Sequence, residues 1–406
     1  MDTQPMNSGS ALPSEIALYI HIPFCQTKCP YCDFNTFAGI ELLIPSYTKA
    51  LTTEIRHWGA LLGKPRVSTI FFGGGTPSYI PGKSIEFILT AVKSAFEVMQ
   101  EAEITMEANP GDLSGKGMSS LPQVGINRLS MGVQSLDDSL LKVLGRRHSS
   151  QAAADAYDAA RRAGFANISL DLMYGLPHQT MKQWRDSLNG VLSLSPEHLS
   201  LYCLTLEEGT PMEQHVRLGE LPQPDPDLAA DMYLLAEDLL GQAGYSHYEI
   251  SNWAKPGKES LHNLTYWHNQ PYLGVGPGAH SYLGRWRFHN INAPREYIRR
   301  LRDVSPLDTP LDALSSDAIG KVPTVGDVET IEQRMEMAET MMLGLRLDEG
   351  MSPESFAARF GMALPSVYGE QILELTTLRL LEQSKGVLRL TGQGRLLGNE
   401  VFLRFF

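Results

Sequence analysis

Cys25, Cys29 and Cys32 fall within eight positions of the run HIPFCQTKCPYC, residues 21 to 32, at the spacing CxxxCxxC. Cys203 lies far along the chain in an apolar run, where a free thiol usually serves as a small buried hydrophobe. A disulfide uses two thiols and a closed zinc site four protein ligands. His21 is a candidate fourth zinc ligand, although a histidine at a strand end more often packs or hydrogen-bonds. A cubane iron–sulfur cluster normally takes four thiolates, so three leave one iron with an open coordination position. Such a position suits a small chelating ligand, for instance the amine and carboxylate of an amino acid.

Composition bounds the setting of that chemistry. Of 406 residues 43% are hydrophobic and 20% charged, while 36 glycines and 25 prolines are scattered without period, as expected for a globular chain of two to three domains. The net charge of −12 argues against broad contact with nucleic acid. The N-terminal stretch MDTQPMNSGSALPSE is polar, and no run approaches the ~18 apolar residues of a membrane span, so neither a signal segment nor an anchor is expected. We therefore expect a cytoplasmic protein, in whose reducing surroundings a cysteine cluster serves metal or redox chemistry rather than cross-linking.

Short β-branched or aromatic runs alternate with longer amphipathic ones, the pattern of βα units around a parallel sheet. Strands are expected near 16–22, 67–72, 103–108, 127–133, 167–174 and 198–204, with helices at 84–99, 139–145, 151–164 and 180–194 between them. Six such units predict an α/β fold, a partial (β/α)6 barrel. The predicted organisation is a polar tail (1–14), the barrel (15–218), an extension (219–302) with a helix over 227–244 and a strand near 245–251, a linker rich in Pro, Asp and Ser (303–330), and a C-terminal domain (331–406). In that last domain three amphipathic helices, one opened by Ser352 and Pro353, precede a glycine-punctuated hairpin at VLRLTGQGRLL, predicting a winged-helix-like α+β module. Its eight Lys/Arg against ten Asp/Glu favour packing or partner docking over duplex binding. A redox-sensing winged-helix regulator is the reading this charge balance disfavours.

The cysteines follow the first strand, on a βα loop, and ligand sites of α/β sheets lie at the carboxyl ends of strands. CxxxCxxC in this place resembles the radical S-adenosylmethionine (SAM) superfamily. The resemblance implies a [4Fe-4S] cluster on Cys25, Cys29 and Cys32, with SAM on the open iron and cleavable by one electron to methionine and a 5′-deoxyadenosyl radical. Reduced flavodoxin or ferredoxin is the implied type of electron donor. It also implies that Tyr31 packs near the adenine and that Gly74, Gly75 and Thr76, in GGGTPS after the second strand, contact SAM. The other strand ends carry suitable groups: Glu107 and Asp171 for ribose hydroxyls or the ammonium, Gln134, and Arg146 as a planar fork for the carboxylate. No catalytic residue is assigned.

YIHIPFC, GGGTPS, NRLSMGVQS and DLMYGLP together resemble the oxygen-independent coproporphyrinogen III oxidase family, which adds Tyr19 to the implied SAM pocket. That resemblance runs from about residue 14 through the C-terminal module. The oxidases of the family carry a further cysteine two residues beyond the third cluster cysteine and a longer N-terminal segment. Phe34 stands at that position here, so oxidative decarboxylation of coproporphyrinogen is the alternative rather than the leading reading. HNLTYW, residues 262–267, resembles instead the HNxxYW motif of HemW-type haem chaperones, implying haem as ligand, contacts from His262, Tyr266 and Trp267, and transfer to an acceptor protein. Imidazole is a common axial ligand and aromatic rings can cover a porphyrin. His268 and His280 are rival ligands that spacing does not exclude.

Overall fold

The computed structural model describes residues 11–112, 115–304 and 310–406. The expected tail up to residue 10 and positions 305–309 of the expected linker lie outside the described residues. The chain divides into two compact units, Met1–Met232 with Pro271–Thr330, and Tyr233–Gln270 with Ile331–Phe406.

In the first unit six strands, β1 (Glu15–Ile22), β2 (Arg66–Gly74), β3 (Glu97–Ala108), β4 (Arg128–Gln134), β5 (Ile168–Tyr174) and β6 (His198–Cys203), pair in parallel in chain order. This is the expected (β/α)6 partial barrel. Side-chain alternation gives each strand two different faces. In β1 Ile16, Leu18, Ile20 and Ile22 are fully buried on one face, and Tyr19 and His21 share the other. Helices Ile44–Leu61, Gly82–Ala95, Ser150–Arg162 and Met181–Leu194 return the chain between strands, the last opened by a capping box of Thr180 and Gln183. The second of these stops at Ala95, short of the expected 99, because Phe96 turns extended (φ −131°) and β3 begins at Glu97 as a 12-residue strand.

The sheet continues beyond β1. β7 (Tyr272–Val275) pairs with it in parallel, and β8 (His280–Leu283), β9 (Trp286–Asn290) and β10 (Val325–Thr330) follow antiparallel. β10 and the short helix Ser316–Gly320 lie inside the stretch read as a linker. Its Pro/Asp/Ser composition hid them, yet the buried Thr324 and Val325 anchor the strand. One carboxylate organises this extension. Glu54, wholly buried on helix Ile44–Leu61, accepts from Gly276 N (2.8 Å), Asn290 Nδ2 (2.7 Å), Thr324 Oγ1 (2.8 Å) and the Tyr297 hydroxyl.

In the second unit helices Gln333–Gly344, Pro353–Phe360 and Leu364–Thr377 pack around Met341, Leu345, Phe356 and Leu375. Ser352 caps the second of them by accepting from Ser355 N, with Pro353 at its first turn, as expected. The hairpin lies one strand earlier than the glycine pattern suggests. Leu381–Ser384 pairs with Val387–Leu390 across Lys385 and Gly386, both at positive φ, as a tight hairpin turn requires. TGQGRLL instead starts a short helix capped by Thr391, and Gly394 is needed because a Cβ there would lie 2.0 Å from Leu380 O.

Candidate functional site

The cysteine loop leaves β1 through two-residue strands, Phe24–Cys25 and Phe37–Ala38, which pair in parallel and pin both ends of the run. Cys25 is buried, while Cys29 and Cys32 are partly exposed. Hydroxyls attend the first thiol: Thr36 Oγ1 donates to Cys25 Sγ at 2.8 Å and Thr76 Oγ1 lies 3.2 Å away. Arg146 Nη1 approaches Cys29 Sγ at 3.6 Å. Burial pushes the Cys32 thiol up to about 11, opposed by the Phe34 backbone and Lys28. Among the described residues no three His, Cys, Asp or Glu side chains cluster as a single ion would need. A cubane asks something different, since each thiolate binds its own iron corner and the three need not converge.

Cys203 corrects an expectation: it is exposed at the final position of β6 rather than buried in the strand. His21 follows the bland reading. Its Nε2 donates to Asn35 O at 2.9 Å and its Nδ1 accepts from the Tyr19 hydroxyl at 3.0 Å, so both ring nitrogens are used within the fold. Burial lowers its pKa, in keeping with a neutral ring.

Strand register assembles the rest. Tyr19 pairs with Phe71, His21 with Gly73, Phe71 with Thr105, Glu107 with Ser130, and Gly132 with Asp171. Directly paired residues share a face, so Tyr19, Glu107 and Asp171 all line the inner, polar side of the sheet. Gly74 and Gly75 serve the fold before any ligand: a Cβ on Gly74 (φ +106°) would lie 2.4 Å from the His21 ring, and one on Gly75 2.7 Å from Ile22 O and Phe24 O. Their backbone is thereby drawn against β1, with Gly75 N donating to Ile22 O and Thr76 N to Phe24 O, both at 2.8 Å.

Glu107 accepts from Gly74 N at 3.1 Å, and burial with Asp171 nearby pushes its carboxyl up to about 8. Asp171 accepts from Ser130 Oγ at 3.1 Å and from Ser169 Oγ at 3.2 Å, and burial raises it too. A register shift between Gly132 and Gln134 bulges β4 at its carboxyl end, and Gln134 takes φ +67° there. A bulge re-aims the side chain that follows it. Gln134 Oε1 and Arg146 Nε are buried without a hydrogen-bond partner, although Arg146 Nη2 reaches Gly132 O at 2.6 Å. Orphaned buried acceptors and donors of this kind call for a polar ligand. Tyr31, partly buried, packs with Leu140, Leu144, Met173 and Leu176.

Two partly buried carboxyls, an amide oxygen and a guanidinium N–H without hydrogen-bond partners, beside three thiols and a glycine cradle, fit a ligand carrying a cationic amine, hydroxyls and a carboxylate. That is the donor set SAM presents, and the residues fit it. Sequence reasoning missed Thr36, Asn35 and Glu54; no spacing rule marks a residue that acts on a cysteine, a loop carbonyl or a backbone amide.

His262, Tyr266 and Trp267 belong to the second unit, on the helix Leu261–Trp267 capped by Ser260. His262 is 1% exposed, with Nε2 2.9 Å from the Tyr266 hydroxyl. Trp267 carries the Arg346 guanidinium 4.3 Å from its ring centroid. His268, exposed, lies 3.5 Å from Glu349. His280 is exposed on β8, in the first unit.

Residues 19–190 match the family described as the Radical SAM superfamily and residues 331–397 the HemN C-terminal domain. The chain is 37% identical over 388 residues to "Heme chaperone HemW" of Bacillus subtilis (strain 168), with 95% of this chain and 98% of that protein covered. It is 36% identical to the protein of the same name from Lactococcus lactis, covering 95% and 96%. It is also 38% identical to the mouse "Radical S-adenosyl methionine domain-containing protein 1, mitochondrial", covering 86% and 77%. Among solved structures, coproporphyrinogen III oxidase (HemN) from Escherichia coli superimposes with a TM-score of 0.81 over 97% of this chain and 90% of that one, at 22% identity, a likeness of fold.

Proposed function

The chain belongs to the HemW family of radical SAM proteins, and from that premise we propose that it is a haem chaperone, binding haem and passing it to an acceptor protein. The observation that carries the reading is end-to-end similarity to proteins named haem chaperones, across both the barrel and the C-terminal module. Phe34, 62% exposed where the oxidases of the wider family place a further cysteine, supports it over decarboxylation of coproporphyrinogen.

In this proposal Cys25, Cys29 and Cys32 hold a [4Fe-4S] cluster, and SAM bound to it supplies one-electron chemistry. The chain's own contributions are positional. Thr36 and Thr76 orient the Cys25 sulfur by hydrogen bonding. Arg146 Nε–H would serve the SAM carboxylate, Gln134 Oε1 the ammonium, Glu107 and Asp171 the ribose hydroxyls or the amine, Tyr31 the adenine, and Gly74, Gly75 and Thr76 would present close backbone. Tyr19, locked on His21, closes the pocket floor. A reduced flavodoxin or ferredoxin is the proposed donor class and the cytoplasm the proposed compartment; among the described residues no helix is long and apolar enough to cross a membrane.

The HNLTYW helix is proposed to contact haem through Tyr266 and Trp267, with His262 fixing the Tyr266 hydroxyl. His262→Ala is expected to weaken haem binding about tenfold, a lost buried hydrogen bond and its ordering, while iron and sulfide content stay at wild-type level. Haem titration followed by absorbance checks it, and an unchanged affinity removes the motif from the haem site. The function itself is tested by incubating haem-loaded protein with an excess of an apo haem protein. Movement of the Soret band to that of the acceptor supports the proposal; haem that never leaves, or never binds, ends it.

A further inference from the structure

The inner face of the sheet stays polar below the layer of Glu107 and Asp171. Strand register aligns Thr105 with Arg128, Glu107 with Ser130, Ser130 with Ser169, Ser169 with His198 and Asp171 with Ser200. Two-residue periodicity keeps Arg128 and Ser130 of β4, Ser169 and Asp171 of β5, and His198 and Ser200 of β6 on one face. All but Asp171 are buried, Ser169 and His198 completely. Interiors of closed (β/α)8 barrels are filled mainly by bulky branched apolar side chains. Six polar ones on three adjacent strands therefore call for a reason.

The hydroxyls converge on Asp171. Ser130 Oγ lies 3.1 Å from each of its carboxylate oxygens, Ser169 Oγ lies 3.2 Å from Oδ1, and Ser200 hydrogen-bonds it as well. Ser169 Oγ is also 2.8 Å from His198 Nδ1 and 3.3 Å from Ser200 Oγ. It has a single proton for these partners. Burial and the Arg128 charge hold the His198 ring well below its usual pKa, so the ring is neutral with one N–H. With that proton on Nδ1 the ring donates to Ser169, whose own proton then goes to Asp171. With the proton on Nε2 the serine turns to the ring instead, and Asp171 loses a donor. Donors supplied from within the barrel fix the carboxylate and leave its remaining lone pairs to the pocket.

We propose that His198, carrying its proton on Nδ1, is a positioning residue for SAM: acting through Ser169, it holds Asp171 in the orientation that receives the ribose hydroxyls or the amine. The assignment rests on the reading of Asp171 as a SAM contact. It gives β6 a part in the site, to which that strand otherwise contributes no implied SAM contact.

The test is SAM affinity of the full-length, cluster-reconstituted protein, measured by equilibrium dialysis of labelled SAM and by the change SAM produces in the EPR spectrum of the reduced cluster. His198→Leu and Ser169→Ala are each expected to weaken binding about tenfold, the loss of a hydrogen bond that serves a charged group, with iron and sulfide content unchanged. His198→Asn, whose amide N–H stands in for Nδ1–H, is expected to recover most of the affinity. In an Asp171→Ala background His198→Leu should cost nothing further, since its effect runs through that carboxylate. Wild-type affinity in either single variant, or losses that add to that of Asp171→Ala, overturn the assignment while the SAM reading stands. Asp171→Ala with wild-type affinity ends both. If His198→Leu does not fold, Ser169→Ala, the loss of one oxygen, decides alone.

Discussion

Cys29→Ala is expected to yield protein with less than about a tenth of the wild-type iron and acid-labile sulfide after anaerobic reconstitution, because two thiolates cannot hold a cubane that already has one open corner. The loop itself survives. Its ends are pinned by the pairing of Phe24–Cys25 with Phe37–Ala38 and by Asn35, none of which uses the Cys29 side chain. Arg146 loses the sulfur at 3.6 Å but keeps Gly132 O at 2.6 Å. Far-ultraviolet circular dichroism should therefore match wild type while the iron–sulfur absorbance disappears. Cys203→Ala, made on the exposed end of β6, is expected to retain full iron content. Iron retained in Cys29→Ala, or lost in Cys203→Ala, would refute the ligand assignment.

The second large effect is on stability. Glu54→Ala strips the acceptor from four donors drawn from segments far apart in sequence: Gly276, Asn290, Tyr297 and Thr324. A buried donor without a partner costs about 1–3 kcal/mol, and removing the shared member of a buried polar network about 3–5 kcal/mol. We expect a loss of that latter order, read as a lower urea midpoint for the barrel unit. Glu54→Gln should fall between, since its amide nitrogen cannot accept and one pair of donors stays unpartnered. A Glu54→Ala protein as stable as wild type would show that these segments are held by packing alone.

Much of this was legible in the sequence. The six barrel strands announce themselves because each is a short apolar run closed by Gly, Pro or a polar residue, and β1, β4, β5 and β6 lie within two residues of the expected bounds. The candidate site residues stand at strand ends, where chemistry-bearing side chains are conspicuous against apolar strands. What stayed hidden depends on long-range pairing. β10 sits in a stretch whose Pro and Ser content reads as a linker, and only partnership with β9 makes it a strand. Phe96 belongs by periodicity to the preceding helix, and only the pairing of β3 with β2 draws the chain extended there. Glu54 looks like one more acid on an amphipathic helix until the loop that returns over 200 residues later supplies its donors. His262 shows the converse: a motif histidine that the fold places inside, engaged by Tyr266.

The central claim, haem handling rather than porphyrinogen oxidation, is tested most directly by an anaerobic assay on cluster-reconstituted protein supplied with SAM, a reductant and coproporphyrinogen III. With a SAM-competent cluster verified in the same sample, the account predicts no protoporphyrinogen, while the same preparation binds haem and yields it to an apo haem protein. Protoporphyrinogen formed over many turnovers, with matching 5′-deoxyadenosine, would contradict it.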